Sequence, residues 1–235
     1  MSRREELADN YARVQEEVLA ACRAHGRNPS DVHIIGVTKT WPASDIRILA
    51  DLGVRDIGES RDQEASHKHN ELQDLDVTWH FIGQVQTNKV NHIATYADVV
   101  HSVDRPKLIT ALGRAALAAG RTLTALIQVS LEVDDEVENE GRGGVSRAGV
   151  LELAGLIDST PGLVLGGLMA VAPLGEDSHQ AFARLVPVSA QLRAAHPQAT
   201  TVSAGMSDDF SEAIAAGATH LRIGSALLGS RPLLG

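Results

Sequence analysis

The residue best suited to covalent chemistry is a lysine at the end of an apolar run. In GVTKTWP, residues 36–42, Lys39 follows VHIIGV and precedes the proline that stops the strand. Alternation along an extended segment puts Lys39 on the same side as Val37 and Ile35. If that side faces a barrel interior, the amine rises from the floor of the mouth. An unperturbed lysine titrates near ~10.4; partial desolvation and a neighbouring cation lower that value and free the lone pair that attacks an aldehyde. The plain alternative is an exposed lysine at a strand end.

Two later segments give such an amine a context. SAGMSDD, residues 203–209, leaves a strand through small residues and enters a helix with Ser207 or Asp208 as the expected N-cap; its free amides and the Ser203 hydroxyl form an anion site. RIGSALLG, residues 222–229, ends a strand at Gly224 and Ser225, where a missing side chain lets an oxyanion reach backbone N–H groups. Together with Lys39 they describe a ligand with an aldehyde at one end and a phosphate at the other. Arg222 shares a face with Gly224. It is read either as the cation beside Lys39 that meets an aromatic ring nitrogen and keeps it unprotonated, or as half of a salt bridge. His80, on the same side of its strand as Thr78 and Ile82, is either a neighbour of the ligand or a histidine satisfied within the core. The other histidines, His67, His69 and His92 among them, lack zinc-ligand spacing, and no metal is expected.

The elements that must position these groups are legible as alternating patterns. Residues 3–25 carry Leu7, Tyr11, Val14, Val18, Leu19 and Cys22 at helical spacing, which predicts a leading helix with one buried stripe. Apolar runs then recur at 32–39, 55–59, 77–83, 97–103, 122–130, 163–171, 200–205 and 220–229. Helical segments such as 43–53, 105–120 and 178–196 separate them, several closed by glycine. Eight βα units in this length predict an α/β fold, a single-domain (β/α)8 TIM barrel over about residues 32–230, with its chemistry at the C-terminal strand ends. The acidic run 132–140 reads as a solvated loop without calcium-ligand spacing.

The totals narrow the function classes. With 21 Lys plus Arg against 30 Asp plus Glu in 235 residues, the formal charge of −9 disfavours a nucleic-acid partner. One cysteine, Cys22, precludes an intrachain disulfide, and no run approaches signal-peptide or membrane-span character. A cytoplasmic protein with no membrane partner is expected.

The motifs VTKTWP, IGES, WHFIGQVQTNK, GLMAV, SAGMSDD and RIGSALLG occur in an order that resembles the pyridoxal 5′-phosphate (PLP) homeostasis proteins (YggS/PROSC type) from about residue 5 onward. The resemblance implies a barrel like the N-terminal domain of alanine racemase, with PLP held as a Schiff base on Lys39. It further implies phosphate contacts from Ser203, Gly205, Met206, Gly224 and Ser225, and Arg222 at the pyridine nitrogen. The family usually reads Gly-Glu-Asn where this chain has Gly58, Glu59 and Ser60, so a hydroxyl replaces the amide that would reach the ring. GRGGVSR, residues 141–147, stands where many relatives have a Lys-Ser-Gly turn.

The resemblance implies a protein that holds and releases PLP, with PLP-dependent apoenzymes as recipients and a monomer as the expected state, a dimer being the alternative. An amino-acid racemase is the rival. It needs two acid/base groups on opposite faces of the cofactor, and the chain offers only Tyr11 and Tyr96, neither placed at the mouth by its element. A Schiff-base aldolase for a phosphorylated sugar ranks third.

Overall fold

The computed structural model describes residues 1–133 and 143–229. Its strands are β1 (His33–Val37), β2 (Asp56–Glu59), β3 (Thr78–Phe81), β4 (Val99–Val103), β5 (Leu123–Val129), β6 (Leu163–Ala170), β7 (Thr201–Ser203) and β8 (His220–Ile223). All pair in parallel in sequence order, and β8 returns to β1 to close the barrel. The helices are α1 (Arg3–Ala24), α2 (Ala43–Asp51), α3 (Asp62–Glu71), α4 (Val90–Tyr96), α5 (Pro106–Ala118), α6 (Val150–Asp158), α7 (Ser178–Ala183), α8 (Leu185–Ala195), α9 (Phe210–Ala215) and α10 (Ser225–Leu228).

The leading helix forms as its pattern predicts. Ser2 and Glu5 close a capping box, and Leu7, Val14, Val18 and Cys22 form a buried stripe. That stripe packs α1 against α9 and α10, beside the last strand. No described helix is long and apolar enough to cross a membrane. Most of the acidic run 132–140, and the start of 141–147, lie outside the described residues.

Two of the boundaries that differ from the sequence expectation matter to the mouth. The first strand stops at Val37, so Lys39 stands in a turn rather than on the strand. The run 220–229 is a strand only to Ile223; Gly224 then breaks it, and Ser225–Leu228 is a helical turn. A continuous apolar run reads equally as strand or buried helix, and only its packing decides.

The barrel interior is partly polar. A Cβ on Gly58 would lie 2.9 Å from Ile35 Cγ2 and 3.4 Å from Val37 Cγ2, so these three residues face one another inside. Below them His33 stacks on His220 at 4.9 Å, near Asp56 and His80. Burial, reinforced by His80 and Arg222, holds His101 well below the usual histidine range, and burial brings His220 down to about 4.

These histidines make stability depend on pH. Both stay neutral in the fold but take up a proton near pH 6.5 once unfolded, so the unfolded chain binds more protons and acid favours it. Each contributes a slope of ~1.4 kcal/mol per pH unit below that point. Urea denaturation is expected to show stability falling by about 2–4 kcal/mol from pH 7 to pH 5. His220→Asn should flatten that slope; an unchanged slope in the variant would remove His220 from the account.

Candidate functional site

The turn after β1 is built from polar contacts to α3. Lys68, buried on α3, points its ammonium at Glu59 Oε1 (2.7 Å), Glu64 Oε1 (2.6 Å) and the Thr38 carbonyl (2.7 Å). The Thr38 hydroxyl donates to Glu59 Oε1 at 2.6 Å, and the Thr40 amide donates to Glu64 Oε1 at 2.5 Å. Burial pushes the Glu59 carboxyl up, against the pull of Lys68 and Thr38. Between the two clamped threonines stands Lys39. Thr40 adopts φ +70°, a conformation uncommon for a β-branched residue and sustained only where the surroundings over-determine it. The strained turn thus has its compensation in the buried Lys68 cluster.

The opposite wall comes from the ends of β7 and β8. Gly205, at φ +89°, lets its turn pack where a Cβ would come 2.7 Å from Ala213 Cβ, and its carbonyl accepts the Arg222 amide at 2.9 Å. The N-cap of α9 is Asp209, not Ser207 or Asp208 as the sequence suggests. Its carboxylate accepts the Met206 N–H at 2.6 Å, while the Ser207 hydroxyl accepts the Ala226 N–H at 3.3 Å and ties the two turns together. Isolated helical-cap preferences missed this because the loop folds back on itself before the helix begins. The amides of Gly224 and Ser225 find no acceptor among the described residues.

A cavity of about 300 Å³ opens between these walls, lined by Lys39, Trp41, Met206, Arg222, Gly224 and Ser225 among others. Arg222 is 5 % exposed at its floor. Its Nη1 donates to the Ser203 carbonyl and hydroxyl, both at 2.8 Å, and its Nη2 to the Ala170 carbonyl at 2.9 Å. Burial lowers its guanidinium to about 10, which leaves it cationic at neutral pH. The salt-bridge alternative for Arg222 is therefore not what its contacts describe. A primary amine, a fixed cation and unpaired amides in one concavity suit an anionic carbonyl compound.

The other expected residues fall elsewhere. Ser203 is fully buried beneath the cavity, its hydroxyl held between Arg222 and His101, so it supports the floor rather than facing a phosphate. Met206 lines the cavity, but its amide is taken by Asp209. Ser60 lines a separate concavity of about 390 Å³ with Arg61, Gln84 and Lys89. His80 sits inside the barrel, bonded to Asp56 and His101 at 2.9 Å each, which is the satisfied-core alternative. Sequence reasoning missed Lys68, Glu59, Glu64 and Trp41. Glu64 and Lys68 carry the spacing of an ordinary helix-surface ion pair, and nothing local marks it as buried. Trp41 is braced from outside by the Arg3 guanidinium, 4.4 Å from its ring centre.

The profile of the alanine racemase N-terminal domain matches residues 5–232. A pyridoxal phosphate homeostasis protein of Mycobacterium bovis is 40% identical over 250 residues, covering 98% of this chain and 95% of that protein. Another from Corynebacterium glutamicum is 41% identical, covering 94% of this chain and all (100%) of the relative. The solved structure of PipY from Synechococcus elongatus PCC7942, with PLP bound, superposes with a TM-score of 0.75 at 36% identity, over 92% of this chain and 100% of PipY. The matched domain profile, the identities of 40% and 41% and the near-complete coverage lead to one conclusion: the chain belongs to the pyridoxal phosphate homeostasis protein family, built on the alanine racemase N-terminal fold.

Proposed function

We propose that this protein binds PLP reversibly at Lys39 and serves PLP homeostasis as a carrier that hands the cofactor to PLP-dependent apoenzymes. The observation that carries this is the single cavity in which Lys39, Arg222 and the Gly224–Ser225 turn meet. Bound there, PLP supplies an aldehyde able to condense with a primary amine, a pyridine nitrogen and a phosphate. The fit is local and chemical. Lys39 offers the amine. The Gly224 and Ser225 amides, with the Ser225 hydroxyl, offer donors to the phosphate at the start of α10. Arg222 offers only N–H donors, so a ring nitrogen beside it accepts a hydrogen bond and stays unprotonated. A neutral pyridine is a weak electron sink, which suits holding the cofactor better than stabilising a carbanion.

The tyrosines favour the carrier over the racemase. Tyr11 lines a cavity with His33 and Asp56, the first residues of β1 and β2, at the opposite end of the barrel from Lys39. Tyr96 ends α4, is buried, and gives its hydroxyl to Asp62 at 3.3 Å. Burial pushes its phenol up and out of useful acid/base range. His80 has both ring nitrogens occupied below the cavity floor. The names of the homologous proteins point the same way.

Purified protein incubated with PLP is expected to turn yellow, and borohydride reduction should fix the cofactor mass on the peptide containing Lys39. A mass on another lysine, or none, contradicts the assignment. Ser225→Ala should weaken PLP retention by about 1–3 kcal/mol, roughly 5- to 150-fold in Kd, through loss of one charge-assisted donor. Spectrophotometric titration measures this, and an unchanged Kd would take Ser225 out of the phosphate site.

A further inference from the structure

Under the cavity floor, four side-chain hydrogen bonds run end to end through the barrel. Arg222 Nη1 donates to Ser203 Oγ at 2.8 Å; Ser203 Oγ lies 3.1 Å from His101 Nδ1. His101 Nε2 lies 2.9 Å from His80 Nδ1, and His80 Nε2 lies 2.9 Å from Asp56 Oδ1. Arg222 lines the mouth cavity, whereas Asp56 opens β2 at the other end, where its side chain is 22% exposed. Ser203, His101 and His80 are buried between them.

With both histidines neutral, the two ends dictate the direction of every bond between. A guanidinium can only donate, and a carboxylate can only accept. His80 must therefore carry its proton on Nε2 to serve Asp56, which leaves its Nδ1 as an acceptor. His101 must then donate from Nε2 and accept at Nδ1, and the Ser203 hydroxyl, having accepted from Arg222, donates its own hydrogen to His101. One consistent assignment satisfies all five groups with both histidines neutral. Burial and the Arg222 cation keep His101 uncharged, and the bond from His80, working against burial, keeps the Asp56 carboxyl below its ordinary value.

We propose that Asp56, His80, His101 and Ser203 form a one-way hydrogen-bond relay that positions Arg222 for the ligand, so that a residue at the far end of the barrel sets affinity at the mouth. Asp56 is on this account a remote positioning residue. A buried hydroxyl with a fixed acceptor on one side must turn its lone pair to the guanidinium on the other, and aligned bonds polarise one another. With that acceptor lost, the hydroxyl is free to rotate, and one anchor of the guanidinium loosens. The effect on PLP rests on the function proposed above; the orientation of the relay does not.

The test therefore has a ligand-free arm. Nitrogen-15 NMR of the histidine side chains, on wild-type protein without PLP at neutral pH, should find His80 and His101 both protonated at Nε2 and bare at Nδ1. Asp56→Ala should disturb that state at His101, which Asp56 does not touch, and should weaken PLP about fivefold by absorbance titration. His101→Phe should weaken PLP about tenfold, while His101→Gln, whose amide can accept from Ser203 and donate to His80, should stay within about threefold of wild type. A proton on Nδ1 of either histidine in the wild type overturns the relay, as does Asp56→Ala that leaves both the His101 signal and the Kd unchanged. Should His101→Phe fail to fold, the wild-type spectrum and Asp56→Ala still decide. Wild-type protein that shows the expected tautomers but binds no PLP would refute the proposed function and leave the relay standing.

Discussion

A guanidinium sealed inside a barrel is the constraint around which this molecule is arranged. Isolated buried charge is costly by several kcal/mol even after relaxation, and it persists only where hydrogen bonds take up its donors. Arg222 meets that demand with two strand-end carbonyls and one hydroxyl rather than with a carboxylate. Carbonyl and hydroxyl dipoles solvate the cation without cancelling it. The floor of the cavity therefore keeps a positive potential, although the chain as a whole is strongly acidic. A small anionic ligand is attracted locally by a protein whose overall field repels polyanions.

The two walls of the cavity solve different problems with different chemistry. On the β1 side the Lys39 amine stands on a turn that its own backbone resists, and the Glu59–Lys68–Glu64 cluster holds that turn from behind. On the β8 side nothing reactive is required. A glycine and a serine opening a four-residue helical turn leave main-chain amides available, and the neighbouring loop is tied down by Asp209 and Ser207. The ammonium of Lys68 is thus structural, while that of Lys39 borders the cavity, although both serve the same turn. Their difference lies in partners: Lys68 has two carboxylates and a carbonyl, whereas Lys39 lines open space.

This division suits a protein that holds a cofactor and gives it up. The relatives with 40% and 41% identity carry the homeostasis name, and the tyrosines that could have served a second catalytic face are committed elsewhere, one at the far end of the barrel and one to Asp62 between the outer helices. A cavity open at the mouth favours exchange over the tight exclusion of water that carbanion chemistry demands.

By itself the sequence determined the barrel, its leading helix, and the meeting of Lys39 and Arg222 with the Gly224–Ser225 turn in one cavity, because each rests on periodicity or on residue types whose backbone demands are local. Eight apolar runs between helical patterns admit few closures, and a glycine after an apolar strand marks where backbone amides come free. Tertiary structure alone decided which polar groups face the cavity and which face each other. Ser203 looked like a phosphate contact and lies instead under Arg222; His80 stands within a chain of partners drawn from β2 and β4; Lys68 and Glu64 have the spacing of an ordinary helix-surface pair, yet Lys68 is buried and the two brace the Lys39 turn. A side chain's partner across a barrel is set by the stagger and closure of the strands, which join residues as distant as His101 and Ser203, and no pattern along the chain encodes that distance.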